Sequence, residues 1–140
     1  MRLQLVTLLG VKLDQEIYQA TIPTTEGEIG VYPDHEALVT IAIPGVISVR
    51  DRKDDDDSRL EFFAISGGVV EISGDTVRVL VDEAEHGADI IEAESQAALE
   101  RALKLRDESE DQIELEKAHQ LIDRHQVRLK VAELRRRKRR

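Results

Sequence analysis

The run LEFFAISGGVVEISGDTVRVLVD, residues 60–82, decides the fold. Within it Leu60, Phe62 and Ala64 alternate with their neighbours, and so do Val77, Val79 and Val81. That period of two belongs to strands with one buried face. Ser66-Gly67-Gly68 and Ser73-Gly74-Asp75 break the runs with turn chemistry, and both are expected to close hairpins. Toward the N-terminus, Tyr18, Ala20 and Ile22 repeat the alternation, while Gly30, Pro33 and Pro44-Gly45 supply further turns. From Leu3 to Asp82 strands follow one another with no helix between them, which predicts a sandwich or barrel. Lys53-Asp54-Asp55-Asp56-Asp57-Ser58 has nothing to bury and is predicted to be a solvated hairpin loop.

Beyond Gly87 the period changes to that of a helix. Asp89 is placed as a first-turn acid or cap, and Ile91, Ala98, Ala102 and Leu105 then share one helical face. Asp107-Glu108-Ser109-Glu110-Asp111 is short and polar, as a helix–helix connection should be. Ala118, Ile122, His125, Leu129 and Ala132 form a second apolar stripe. Two helices joined tightly predict an antiparallel hairpin, so the chain divides into a β domain, residues 1–88, and a helical hairpin, residues 89–140. On the second helix Lys117, Arg124, Arg128 and Arg135 gather on one side, beside the apolar stripe rather than within it. The Ala-rich seam predicts a weak helix interface, one that opens and offers this basic face to a partner.

Composition narrows the function. The 140 residues are 41% hydrophobic and 35% charged, with only 3% aromatic, so the core rests on Val, Ile, Leu and Ala. No apolar run is long enough to span a bilayer as a helix. Met1-Arg2-Leu3-Gln4 lacks the pattern of a secretory signal. The absence of cysteine excludes disulfides and thiolate metal sites and permits a reducing compartment. The net charge of −9 is uneven: residues 1–88 carry 17 acidic and 7 basic side chains, and residues 124–140 carry nine Lys or Arg against Glu133 alone. An acidic body with a basic tip seeks either nucleic acid or an acidic protein surface.

Catalytic and metal constellations are missing from the sequence. Ser66-Gly67-Gly68 is not followed by the Gly-Lys-Ser/Thr of a phosphate loop. Asp54 to Asp57 are consecutive and lack the spacing of a calcium loop. His35, His86, His119 and His125 have no partner at metal-ligand spacing. His125 lies on an apolar stripe and reads as an interface residue. Arg135 to Arg140 contain no aromatic residue for base stacking, and an isoelectric point near 4.9 is wrong for a nucleic-acid binder. A stand-alone β-sandwich adaptor with a basic nucleic-acid-binding tail is the alternative reading, and nucleic acid is not the expected partner. No catalytic residue, metal or cofactor is assigned.

Gly27-Glu28-Ile29-Gly30-Val31-Tyr32-Pro33, then His35, Leu38, Thr40 and Pro44-Gly45-Val46, resemble the epsilon family of bacterial-type F-type ATP synthases. The resemblance runs on through Ile65-Ser66-Gly67-Gly68-Val69-Val70-Glu71-Ile72, Val77 to Asp82, Ala88-Asp89-Ile90, Leu99 to Ala102 and Arg128 to Val131. It implies a ten-stranded β-sandwich followed by an antiparallel two-helix hairpin. It also implies a non-catalytic rotor subunit of the central stalk, coupling proton-driven rotation to ATP synthesis at the cytoplasmic face of a bacterial plasma membrane. The implied partners are the gamma subunit, through His35, and the ring of c subunits, through Glu28 in a turn after a strand. The helices are expected to inhibit ATP hydrolysis when extended, their basic face meeting acidic segments of the beta subunits. Three departures stand out, one of them the Asp-rich loop at 54–57, a local embellishment. A second loop reads Pro33-Asp34-His35-Glu36-Ala37-Leu38 where the family has Pro-Gly-His-Ala-Pro-Leu. ATP-sensing members open the first helix with Ile-Asp-x-x-Arg-Ala, and here the residues are Ile90, Ile91, Glu92, Ala93, Glu94 and Ser95, so tight ATP sensing is not expected.

Overall fold

The computed structural model describes residues 1–138; Arg139 and Arg140, the end of the basic tip, lie outside it. Ten strands precede two helices among the described residues: β1 (Arg2–Thr7), β2 (Gly10–Glu16), β3 (Gln19–Thr24), β4 (Gly27–Val31), β5 (Leu38–Ala42), β6 (Gly45–Arg50), β7 (Glu61–Ile65), β8 (Gly68–Ser73), β9 (Thr76–Val81) and β10 (Ala84–His86), then α1 (Glu92–Glu108) and α2 (Gln112–Lys138). The strands pair in the order β10-β7-β6-β3-β5-β8-β9-β1-β2, with β4 on β3. Only Thr24 opposite Ala42 ties β3 to β5, so the ribbon folds there into two layers, β10-β7-β6-β3-β4 and β5-β8-β9-β1-β2. Alternate residues of both layers point inward, and Leu3, Leu5, Ile22, Ile47, Val49, Phe63, Val70, Val77 and Val79 fill the space between them.

Two sequence readings change. Ser73-Gly74-Asp75 closes the β8–β9 hairpin as expected. Ser66-Gly67-Gly68 does not close one: β7 pairs with β6 and β10, β8 with β5 and β9, so this segment carries the chain from one layer to the other. Gly68 makes the crossing possible, because a Cβ there would stand 1.9 Å from the Leu80 carbonyl oxygen. The Asp-rich loop does join the β6–β7 hairpin, but it is pinned rather than free. Arg50 reaches the Asp55 carbonyl and the Asp57 carboxylate, and Asp56 caps a short 3₁₀ turn at Asp57–Arg59.

The hairpin lies against the outside of the β6–β7 layer. Phe62 and Ala64 on β7 and Val46 on β6 point away from the sandwich core and meet Ile90 and Val131, with Leu60, Val127 and Leu134 around them. Each fully covered side chain of this kind contributes roughly 1.5–3 kcal/mol. Gly87 sits under the helix, where a Cβ would come within 2.9 Å of both Val131 and Arg135 side-chain carbons. The sequence boundary at residue 88 therefore falls in a 3₁₀ turn, Gly87–Asp89, that is itself packed between sandwich and helix.

Candidate functional site

The basic face of α2 is not free. Arg124 donates to Glu83 (2.9 Å), the Arg128 guanidinium lies 2.7 Å from Glu85, and Arg135 donates to the Gly87 carbonyl (2.7 Å). Glu85 lies on β10, and Glu83 and Gly87 flank its two ends, so the three partners follow one another along the side of α2 that carries the arginines. Farther on, Arg136 pairs with Glu92 at 3.0 Å and Lys138 donates to the Leu60 carbonyl while its ammonium sits over the Phe62 ring. Lys117 alone of the four predicted residues is exposed and without an ion pair among the described residues. In this conformation acids beside β10 hold Arg124 and Arg128, and a backbone carbonyl holds Arg135. The spacing of the arginines was legible; their partners were not, because Glu83 and Glu85 are about forty residues away in sequence.

Between the helices the buried residues are mostly small, and the predicted stripe holds on α2 but only in part on α1. Ser95 and Ala102 are the buried residues of α1, and Ala118, Ile122, His125 and Ala132 are buried on α2 as the stripe predicted. Ile91 and Leu105 are exposed instead. Asp89 belongs to the preceding turn, and α1 begins after Ile91, which offers no side-chain cap. Asp111, read as linker, caps α2 through the Glu114 N–H at 2.8 Å. At the junction of α1, α2 and β10 lies a cavity of about 380 Å³ whose walls include Glu85, Glu94, Ser95, Arg101, His125 and Arg128. Among the described residues two buried side-chain atoms have no hydrogen-bond partner, Nδ1 of His125 and Oε2 of Glu85, the latter close to Arg128 but out of line with a donor hydrogen. Burial, reinforced by Arg128, Arg124 and Arg101, holds the His125 pKa below its ordinary value.

The sandwich offers a second surface. The β1–β2 and β3–β4 turns are built alike: Thr7 and Thr24 each accept from the N–H two residues on and donate to a glycine carbonyl, of Gly10 and Gly27 respectively. Strand register puts both turns at one end, since Val6 aligns with Leu80, Leu80 with Val69, Val69 with Ile41, and Ala42 with Thr24. Leu8, 80% exposed, and Leu9, fully exposed, form the first tip. Glu28 is exposed beside the second, in strand β4 opposite Pro23 rather than in a turn. His35 follows the far end of β4, its Nδ1 on the Glu36 carbonyl, so the structure does not bring Glu28 and His35 together. Asp34 there takes a left-handed φ of 68°, which a non-glycine residue adopts at a cost.

Across the outer face of the second layer runs a row the sequence reading missed. Ile41, Val69, Leu80, Val6 and Val11 are cross-strand neighbours on β5, β8, β9, β1 and β2, and Val39 lies beside them, 72% exposed. The available signal was the unbroken run Leu38-Val39-Thr40-Ile41-Ala42-Ile43. A strand apolar on both faces needs cover on both.

The sequence model of the ATP synthase Delta/Epsilon chain beta-sandwich domain matches residues 1–87. The chain belongs to the ATP synthase delta/epsilon family. An ATP synthase epsilon chain from Herpetosiphon aurantiacus is 34% identical over 138 residues, 96% of each chain. A chain in the Euglena gracilis mitochondrial ATP synthase structure, OSCP/F1/c-ring in rotational state 1, superposes with a TM-score of 0.78 at 26% identity, over 94% of this chain and 79% of that one. A chain of the Tetrahymena thermophila mitochondrial ATP synthase central stalk/c-ring shares the fold, with a TM-score of 0.59 at 16% identity over 93% and 94% of the two chains. The family model covers the sandwich alone, whereas both superpositions extend over most of the helices as well.

Proposed function

We propose that this chain is a non-catalytic rotor subunit of an F-type ATP synthase, seated peripherally at the cytoplasmic face of a membrane. Residues 1–88 act as the docking domain and residues 89–140 as a regulatory hairpin. The observation that carries the reading is the uncovered apolar row from Val11 to Ile41, continuous with the Leu8-Leu9 tip. A surface of this kind, built on rigid strands, suits permanent attachment to another subunit. The gamma subunit is the partner assigned to that face, with His35 at its margin, and the polar loops of the c ring are assigned to the tip that carries Glu28.

Hydrolysis is held back, in this reading, when α2 leaves β10 and offers Arg124 and Arg128 to acidic segments of the beta subunits. The same arginines cannot serve both surfaces at once, so docking on Glu83 and Glu85 is the non-inhibiting alternative. ATP is not the ligand that chooses between them. Ile91 has no acceptor to give a nucleotide, and Glu94 would repel its phosphates.

Reconstitution of the parent complex tests the assignment. Ile41→Gln with Leu80→Gln should abolish capture of gamma, and Glu28→Lys should weaken retention on the c ring. Full retention of gamma by the double variant would sink the docking assignment.

A further inference from the structure

We infer that His125 is a proton-operated latch: with a neutral imidazole the hairpin docks, and protonation in mildly acidic solution releases α2 from the sandwich. The inference concerns the docked geometry and does not require the inhibitory reading above.

His125 sits midway along α2, 9% exposed, where three elements converge. Its Nδ1 touches the cavity region with no hydrogen-bond partner. A neutral imidazole tolerates this better than a charged one, because an unpartnered neutral acceptor costs less than a buried unpaired charge. A protonated ring would carry both a charge and an unsatisfied N–H donor in the same place.

Burial opposes a charged ring first, and the neighbouring cations add to it. Arg101 faces the ring from α1, and Arg124 and Arg128 flank it on α2. The acids in the surroundings are Glu85 from β10, Asp89 from the turn before α1, and Glu94 from α1. Glu85 is ion-paired with Arg128 at 2.7 Å, though its Oε2 makes no hydrogen bond, while Asp89 and Glu94 are exposed. Three cations therefore join burial in opposing a fourth.

The linkage follows. Burial in the docked state holds the His125 pKa below its ordinary value of 6.5; release removes that burial, although Arg124 and Arg128 travel with the ring on α2. The docked state is thus fully favoured above pH 6.5 and loses stability as pH falls below it, by up to tenfold in the docking equilibrium per pH unit for one proton. Below the docked pKa the loss stops growing. Release also frees Arg124 and Arg128, so acidification would deliver the basic face to whatever acidic surface is near.

The chain has no cysteine, so Lys53→Cys and Arg137→Cys allow clean labelling for distance measurement in the full-length protein. The labelled protein should lose the short, docked distance between about pH 7.5 and 5.5, while His125→Gln in the same background should hold one distance throughout. The imidazole carbon-bound protons, followed by NMR in the unlabelled chain, should titrate below the ordinary histidine range and in step with release. A distance unchanged down to about pH 5.5, an unchanged pH response in His125→Gln, or a ring that titrates at or above its ordinary range would each overturn the latch. Should His125→Gln fail to dock even in neutral solution, the NMR titration of the native chain decides alone. Glu85→Gln tests the rival proton site: abolition of the pH response there, with His125→Gln still responsive, assigns the proton to Glu85 and rejects His125.

Discussion

The two outer faces of the sandwich begin from the same chemistry and end differently. On one, Val46, Phe62 and Ala64 point outward and are sealed under α2 by Val131 and Ile90. On the other, Val39, Ile41, Val69 and Leu80 point outward, and no helix covers them among the described residues. Both faces arise from strands with apolar residues at odd and even positions, Phe62-Phe63-Ala64-Ile65 in one case and Leu38 to Ile43 in the other. A sheet that is apolar on both sides requires two covers. This chain makes one and leaves the other to a partner. The covering helix is moreover the part assigned a regulatory role, so its own seat must be strong enough to hold and weak enough to leave.

The comparison breaks most readily at Phe62. Truncation to alanine removes the largest side chain under α2 and should cost about 3–5 kcal/mol, read by chemical denaturation. Loss of helix docking should accompany it, because Lys138 also rests on that ring. An equal loss of stability from Ile41→Ala would erase the distinction between the faces. Ile41 is expected instead to change stability by no more than about 0.5 kcal/mol, its effect appearing only in subunit capture.

How far these faces were legible in the sequence follows from the range of each interaction. The alternation in Val77, Val79 and Val81 and the turn at Ser73-Gly74-Asp75 are local, and they led directly to β9 and its hairpin. The arginine spacing on α2 is local too. What escaped was pairing between distant segments: the crossing at Gly67-Gly68, Glu83 beneath Arg124, and the row assembled from five strands. Period-two patterning tells which residues share a face, and says nothing of which layer covers it. Ile91 was misplaced for a different reason. Its spacing fits the stripe, but the helix begins only after it, so it never acquires a helical direction.

A smaller effect sharpens the regulatory side of the comparison. Ile91 stands at the cap position of α1 without a capping group. Ile91→Asp should accept from the exposed N–H groups of the first turn and stabilise α1 by about 1 kcal/mol. Asp also restores the residue found at this position in ATP-sensing relatives, so the variant separates cap from ligand. Titration with ATP should show no micromolar binding to the native chain, and none to Ile91→Asp while Glu94 remains. Micromolar binding by the native protein would restore ATP as the controlling ligand.

The smallest expected effect lies in the ion pairs along β10, and it decides what kind of seat α2 has. Arg124 and Glu83 are both about half exposed, at 42% and 53%. Water and salt screen such a pair, and its contribution is about 0–1 kcal/mol. If apolar burial supplies the hold and the arginines supply the register, Arg124→Glu should loosen docking only slightly. Adding Glu83→Arg should recover what was lost, and raising the salt concentration should shrink the difference between the variants. Distance measurement between labels at positions 53 and 137 is unsuitable for so small a change, whereas hydrogen exchange of the α2 amides resolves it. Two results would reverse the assignment: a loss from Arg124→Glu as large as that from Phe62→Ala, or no recovery in the swapped pair. The first would make charge the main hold on the helix, and its release would then follow ionic strength as closely as pH.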